Sequence, residues 1–145
     1  MEKQTNFRSG FVTIWGRPNV GKSTLLNNIL KYKITIVSDK PQTTRKNIKG
    51  ILNRPNCQIV FIDTPGLHVP VDPLGQFLSN QWKSSLPDAD CLLYLTTPGV
   101  SVQTDEIYLK EIQDFPHPVL LVVNKIDLFK KEIIQKTIQE YSQSF

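Results

Sequence analysis

Apolar residues along this chain gather into short continuous runs, and between those runs they recur at helical spacing. The run "GFVTIWG" reads as a buried strand, and the stretch from about Lys22 to Lys31 as a helix with Leu25, Leu26, Ile29 and Leu30 on one face. "NIKGIL" and "CQIVFID" are strand-like and flank "NRPN", a sequence suited to a hairpin turn. A helical pattern through Leu74, Phe77, Leu78, Trp82 and Leu86 stops at Pro87. "CLLYLTT" and "PVLLVVN" are two further buried strands. Between them Thr104 is placed to cap a helix running through Asp105 and Glu106 to about Asp114, with both acids in the first turn, where the helix dipole favours them. "LFKKEIIQKTIQEYSQ" predicts a final amphipathic helix with Phe129, Ile133, Ile134, Ile138 and Tyr141 inward. Continuous apolar strands alternating with helices predict an α/β fold. Its sheet is mostly parallel, with one antiparallel hairpin strand, and is covered on both faces. No internal repeat and no linker interrupts it.

Composition narrows the class. The 145 residues suit one domain, and 39% hydrophobic with 21% charged residues describes a globular chain. No apolar run is long enough to cross a bilayer, and "MEKQTNFRSG" lacks the core of a signal peptide, so the expected location is cytoplasmic. Cys57 and Cys91 sit singly in apolar runs, as reduced core thiols do. The net charge is +4, and its cations are uneven. Lys31, Lys33, Lys40, Arg45, Lys46, Lys49 and Arg54 face a single acid, Asp39, over one stretch. That stretch suits nucleotide or RNA phosphates, or simply a solvated surface.

In a parallel sheet, ligands sit at the carboxyl ends of strands, and four loops there carry chemistry. "GRPNVGKST" satisfies the phosphate-loop pattern with Gly16, Gly21, Lys22 and Ser23, directly after a strand and opening a helix. Its backbone, from Gly16 through Arg17, Pro18, Asn19 and Val20 to Gly21, is expected to turn N–H groups toward a phosphate. Lys22 would neutralise β- and γ-phosphates, and the Ser23 hydroxyl, next to Thr24, would hold Mg²⁺. "DTPG" places Asp63 at a strand end as the acid of the magnesium site, and the Gly66 N–H as the sensor of a γ-phosphate. "NKID" supplies Asp127, whose carboxylate accepts from both N1–H and the exocyclic amine of guanine, which adenine cannot offer in that pattern. Asn124 steadies that loop and the Lys125 stem lies along the base. In "SDKPQTTRKN", Thr43 or Thr44 brings a hydroxyl to Mg²⁺ as a switch loop does.

Together, "GRPNVGKSTLLN", "ITIVSDKPQTTR", "DTPGLH" and "NKID" resemble the Era family of bacterial GTPases, in its order and spacing and over nearly the whole chain. The resemblance implies a P-loop three-layer α/β/α fold, GTP and GDP with Mg²⁺ as ligands, and hydrolysis of GTP at a slow intrinsic rate. The residues expected to act in turnover are Lys22, Thr44 and Gly66, the family pattern favouring Thr44 over Thr43 as metal ligand, with Asp63 reaching the metal through water. It also makes Asn19 a candidate K⁺ ligand. Leu67 stands where Ras-like enzymes carry the glutamine that orients water, so water is aligned by other means; His68 beside it reads as a surface or packing residue. As partners the resemblance implies small-subunit ribosomal RNA and the 30S subunit, bound through a C-terminal KH domain, and a location in the cytoplasm or peripherally at the inner membrane. Against that pattern residues 1–145 read as a GTPase domain that stops before its last strand and helix, with "PVLLVV" left at a sheet edge. The alternative reading is a guanine-nucleotide-binding fragment with little or no turnover; an ATPase or kinase is opposed by Asp127.

Overall fold

The computed structural model describes residues 6–31, 48–62 and 86–145. Asp63, Gly66, Leu67, His68, Thr43, Thr44, the pattern from Leu74 and most of the basic run lie outside them.

Among the described residues five strands form one sheet in the order β2-β3-β1-β4-β5: β1 Arg8–Trp15, β2 Ile48–Arg54, β3 Cys57–Ile62, β4 Cys91–Thr96 and β5 Val119–Val123. β1 pairs in parallel with both β3 and β4, and β4 in parallel with β5, whereas β2 returns antiparallel on β3. The hairpin is tighter than "NRPN" suggests. Arg54 pairs with Cys57, so only Pro55 and Asn56 form the turn. Among the described residues β5 lies at an edge of the sheet, with Leu120 exposed.

The side-chain alternation of strands divides the core into two layers. Ile14, Phe61 and Leu95 point to one face and pack with Val20, Leu26 and Leu30, the last two from helix α1, Lys22–Leu30. Trp15, Leu92 and Tyr94 point to the other and pack with Tyr108, Ile112 and Tyr141. Tyr108 belongs to α2, Glu106–Lys110, and Tyr141 to α3, Lys131–Ser142. Each buried leucine of α1 contributes about 1.5 to 3 kcal/mol relative to exposure. Among the described residues this is the predicted α/β/α sandwich.

Two expectations need correction. Thr104 does not cap α2: its hydroxyl meets Ser101 Oγ at 2.9 Å, and the helix spans only Glu106–Lys110. Asp105 precedes that helix and is completely buried, because an arginine and three hydroxyls claim its carboxylate. On α3 Tyr141 is buried as expected, together with Thr137, while Ile133 and Ile138, and Phe129 ahead of the helix, are exposed. Helical geometry puts Ile133 and Ile138 on the two flanks of that buried pair.

Candidate functional site

The carboxyl ends of β1, β4 and β5 lie side by side, which gathers the loops after them at one edge of the sheet. The loop after β1 runs from Gly16 to Gly21 and curls through three positive-φ residues, Gly16 at 146°, Asn19 at 65° and Gly21 at 99°. At Gly16 a Cβ would strike the Leu95 carbonyl, so the loop crosses the end of β4 closer than any other residue permits. Val20 anchors it by burying its side chain in the α1 layer.

α1 starts at Lys22 with Gly21 as its N-cap and no side-chain cap. That helix end therefore presents backbone N–H groups and a partial positive charge beside the loop, a setting made for an anion. Lys22 folds over the loop: its Nζ donates to the carbonyls of Gly16 at 2.7 Å and Arg17 at 2.6 Å. Ser23 and Thr24 are exposed in the first turn. The residues fit a phosphate group: a curled glycine-bearing loop, an open helix N-terminus and an ammonium meet at one place. For Mg²⁺ the described part of the site offers the Ser23 hydroxyl, an oxygen donor of the kind that ion takes.

The loop after β5 docks on this one. Asn124 N–H continues the sheet by donating to Thr96 O at 2.8 Å. Its side-chain amide donates to Val20 O at 2.8 Å, and Lys125 Nζ to Asn19 O at 2.8 Å. A Cβ on Gly21 would collide with that same Asn124 amide nitrogen. Lys125 takes φ 58°, which turns the chain into the 3₁₀ turn Ile126–Leu128 and leaves Asp127 exposed. The structure thus brings Asn124 and Lys125 against the phosphate loop.

A second polar group lies beneath the loop and was not singled out from the sequence. The Arg17 guanidinium faces buried Asp105, Nε to Oδ1 at 2.6 Å, off the direct N–H line and so chiefly a charge contact. Asp105 Oδ2 accepts from the hydroxyls of Tyr94 at 2.9 Å, Thr96 at 3.2 Å and Tyr141 at 2.7 Å. Burial first, and the neighbouring carboxylate next, raise the Tyr94 phenol far above its ordinary pKa. Burial raises Tyr141 as well, with Asp105 adding to it. The one legible signal was the pair Tyr94 and Thr96 on the same face of β4, hydroxyls on an otherwise apolar strand. Burial likewise raises the pKa of the half-buried Cys91 thiol.

Residues 11–125 match the family described as 50S ribosome-binding GTPase. The GTPase Era of Clostridium tetani is 46% identical over 140 residues, covering 96% of this chain and 48% of the relative. That of Clostridium botulinum strain Eklund 17B is 51% identical over 140 residues, again 96% and 48%. The chain therefore spans about half the length of the curated relatives it matches. Among solved structures, Era in complex with MgGDPNP and nucleotides 1506–1542 of 16S ribosomal RNA superposes with a TM-score of 0.76 at 40% identity, over 94% of this chain and 47% of that one. The G domain of the T. maritima FeoB iron transporter shares the fold at 21% identity and a TM-score of 0.62, over 94% and 96%.

Proposed function

Because the chain belongs to the family of 50S ribosome-binding GTPases and has Era GTPases as homologues, we propose that it binds guanine nucleotide with Mg²⁺ and hydrolyses GTP as a molecular switch. The whole protein then acts in small-subunit assembly by binding ribosomal RNA of the 30S subunit, in the cytoplasm. The RNA half of this reading is supported by the likeness to Era solved with 16S RNA nucleotides. Among the described residues no helix is long and apolar enough to cross a membrane.

One observation carries the nucleotide half: the "NKID" loop is hydrogen-bonded to the phosphate loop through Asn124 and Lys125. A base-reading element fixed to a phosphate-reading element is what a nucleoside phosphate needs at its two ends. In this reading the N–H groups of residues 16–21 and the α1 N-terminus hold the phosphates. Lys22 exchanges the carbonyls of Gly16 and Arg17 for phosphate oxygens, trading neutral acceptors for charged, stronger ones. Asp127 accepts from guanine N1–H and its amine, and the Lys125 stem lies along the base. Ser23 and Thr44 would hold Mg²⁺, with Asp63 as the acid behind them acting through water, and the Gly66 N–H would sense the γ-phosphate. When bound, Mg²⁺ neutralises charge across the β- and γ-phosphates. Where K⁺ activates turnover, Asn19 would be its candidate ligand. Leu67 cannot orient the attacking water through its side chain, so intrinsic turnover is slow.

Calorimetric titration with GDP in Mg²⁺, with ADP as control, tests the binding half. Selective GDP binding is expected; equal or absent binding of the two overturns it. Phosphate release from GTP in K⁺ against Na⁺ then tests turnover, and binding without release would leave the chain a nucleotide-binding unit.

A further inference from the structure

We infer that Asp105 is a positioning residue for the phosphate loop: by holding the Arg17 side chain it fixes the course of the backbone between Gly16 and Lys22. The inference deepens the nucleotide-binding reading and rests on it for its consequence in affinity.

A fully buried carboxylate has to be satisfied, and Asp105 is satisfied unevenly. Its Oδ2 takes hydroxyls from Tyr94 and Thr96 at the end of β4 and from Tyr141 on α3, so that oxygen is fixed to the sheet and to a helix. Its Oδ1 has no directed hydrogen bond and faces the Arg17 guanidinium at 2.6 Å. Arg17 is the first residue after Gly16, and its own carbonyl receives Lys22 Nζ at 2.6 Å. The side chain of Arg17 is thus fixed to the cluster shared by β4 and α3, and its backbone, whose carbonyl is one resting acceptor of Lys22, follows from that anchor. The guanidinium faces inward to Asp105, so a conspicuous cation in "GRPNVGKST" serves as a tether. A second contact supports the frame around it: Gly99 N–H donates to Thr137 Oγ1 at 3.0 Å, fixing the loop before Asp105 onto α3.

The test pairs Asp105→Asn, which keeps shape and removes charge, with Arg17→Gln, the double variant, and Tyr141→Phe, which deletes one hydroxyl and spares the ion pair. Amide hydrogen exchange of the ligand-free chain reads the tether itself. Exchange at residues 16–21 is expected to accelerate at least tenfold in Asp105→Asn, with the interiors of β1 and β4 unchanged. Unaltered exchange there, or uniform acceleration along the chain, overturns the inference. GDP titration reads the consequence: each single variant weakens binding at least tenfold, the double variant no further than the worse single, and Tyr141→Phe by less. Additive losses, or a lowered thermal midpoint with GDP affinity within twofold, would make the pair merely structural and also overturn it. A wild-type chain that ignores GDP defeats the nucleotide reading, while the exchange comparison still decides the tether.

Discussion

The side-chain amide of Asn124 donates to the carbonyl of Val20 at 2.8 Å, joining residues 104 positions apart. It lets the strand end of β5 fix the curvature of a loop that begins after β1. Asn124→Ala leaves the Val20 carbonyl without that donor, a loss of about 1 to 2 kcal/mol. The urea midpoint should fall accordingly, and GDP affinity should drop about tenfold, the equivalent of 1.4 kcal/mol. An unchanged midpoint would show the bond to be incidental.

Gly16 and Gly21 differ in what an added methyl would meet. At Gly16, with φ 146°, it would meet the backbone carbonyl of Leu95, which the sheet cannot move. Gly16→Ala should therefore destabilise the fold by about 2 kcal/mol or more. At Gly21 it would meet the Asn124 amide, a side chain that can swing away at the expense of its bond. Gly21→Ala should consequently weaken GDP binding partly through Asn124 and partly through strain at φ 99°, so the loss should be smaller, though not absent, in an Asn124→Ala background. Equal losses in both backgrounds would separate the two residues.

The strands were legible because continuous apolar runs leave few alternatives, and the curl of the loop after β1 because its glycine spacing sets it; the loops that carry Thr44 and Asp63 lie outside the described residues. Asp105 was misread for a physical reason. Beside Glu106, in front of a helical pattern, an acid looks like a solvated first-turn residue, and nothing local reveals the Arg17 guanidinium that draws it inward. Polar partners also explain α3: Tyr141 bonds to Asp105 and Thr137 accepts from Gly99 N–H. Thr137 and Tyr141 occupy its buried stripe, which displaces Ile133 and Ile138 to the flanks, where hydrophobicity alone placed them inside.

Asp127 is exposed in its 3₁₀ turn, so substitution there should spare the fold and act on base choice. Xanthine keeps N1–H but carries a carbonyl where guanine has its amine. An asparagine can accept from N1–H and donate to that carbonyl, whereas aspartate meets it with like charge. Asp127→Asn should therefore weaken GDP by about 2 kcal/mol or more and favour xanthosine diphosphate, with an unchanged thermal midpoint. Competition between the two diphosphates checks this, and retained guanine preference would remove Asp127 from the site.

Tyr94 and Tyr141 make the buried cluster sensitive to alkali. Burial, followed by the Asp105 carboxylate, raises both phenols, so the folded state keeps its protons at pH values where the unfolded chain releases them. The sign is that of a raised folded pKa: the contribution is complete below the unfolded tyrosine value of about 10 and is lost as pH climbs above it. Each phenol can steepen the fall by at most about 1.4 kcal/mol per pH unit. Tyr141→Phe removes one of them together with a donor to Asp105. It should therefore be less stable at pH 7, by about 1 to 3 kcal/mol, yet lose stability more slowly above pH 10. Urea unfolding of both proteins between pH 7 and 11 measures the two effects, and subtracting the curves cancels the lysines common to both. Parallel curves above pH 10 would mean that Tyr141 ionises as readily in the folded protein as in the unfolded one, and that its proton is not held by the cluster.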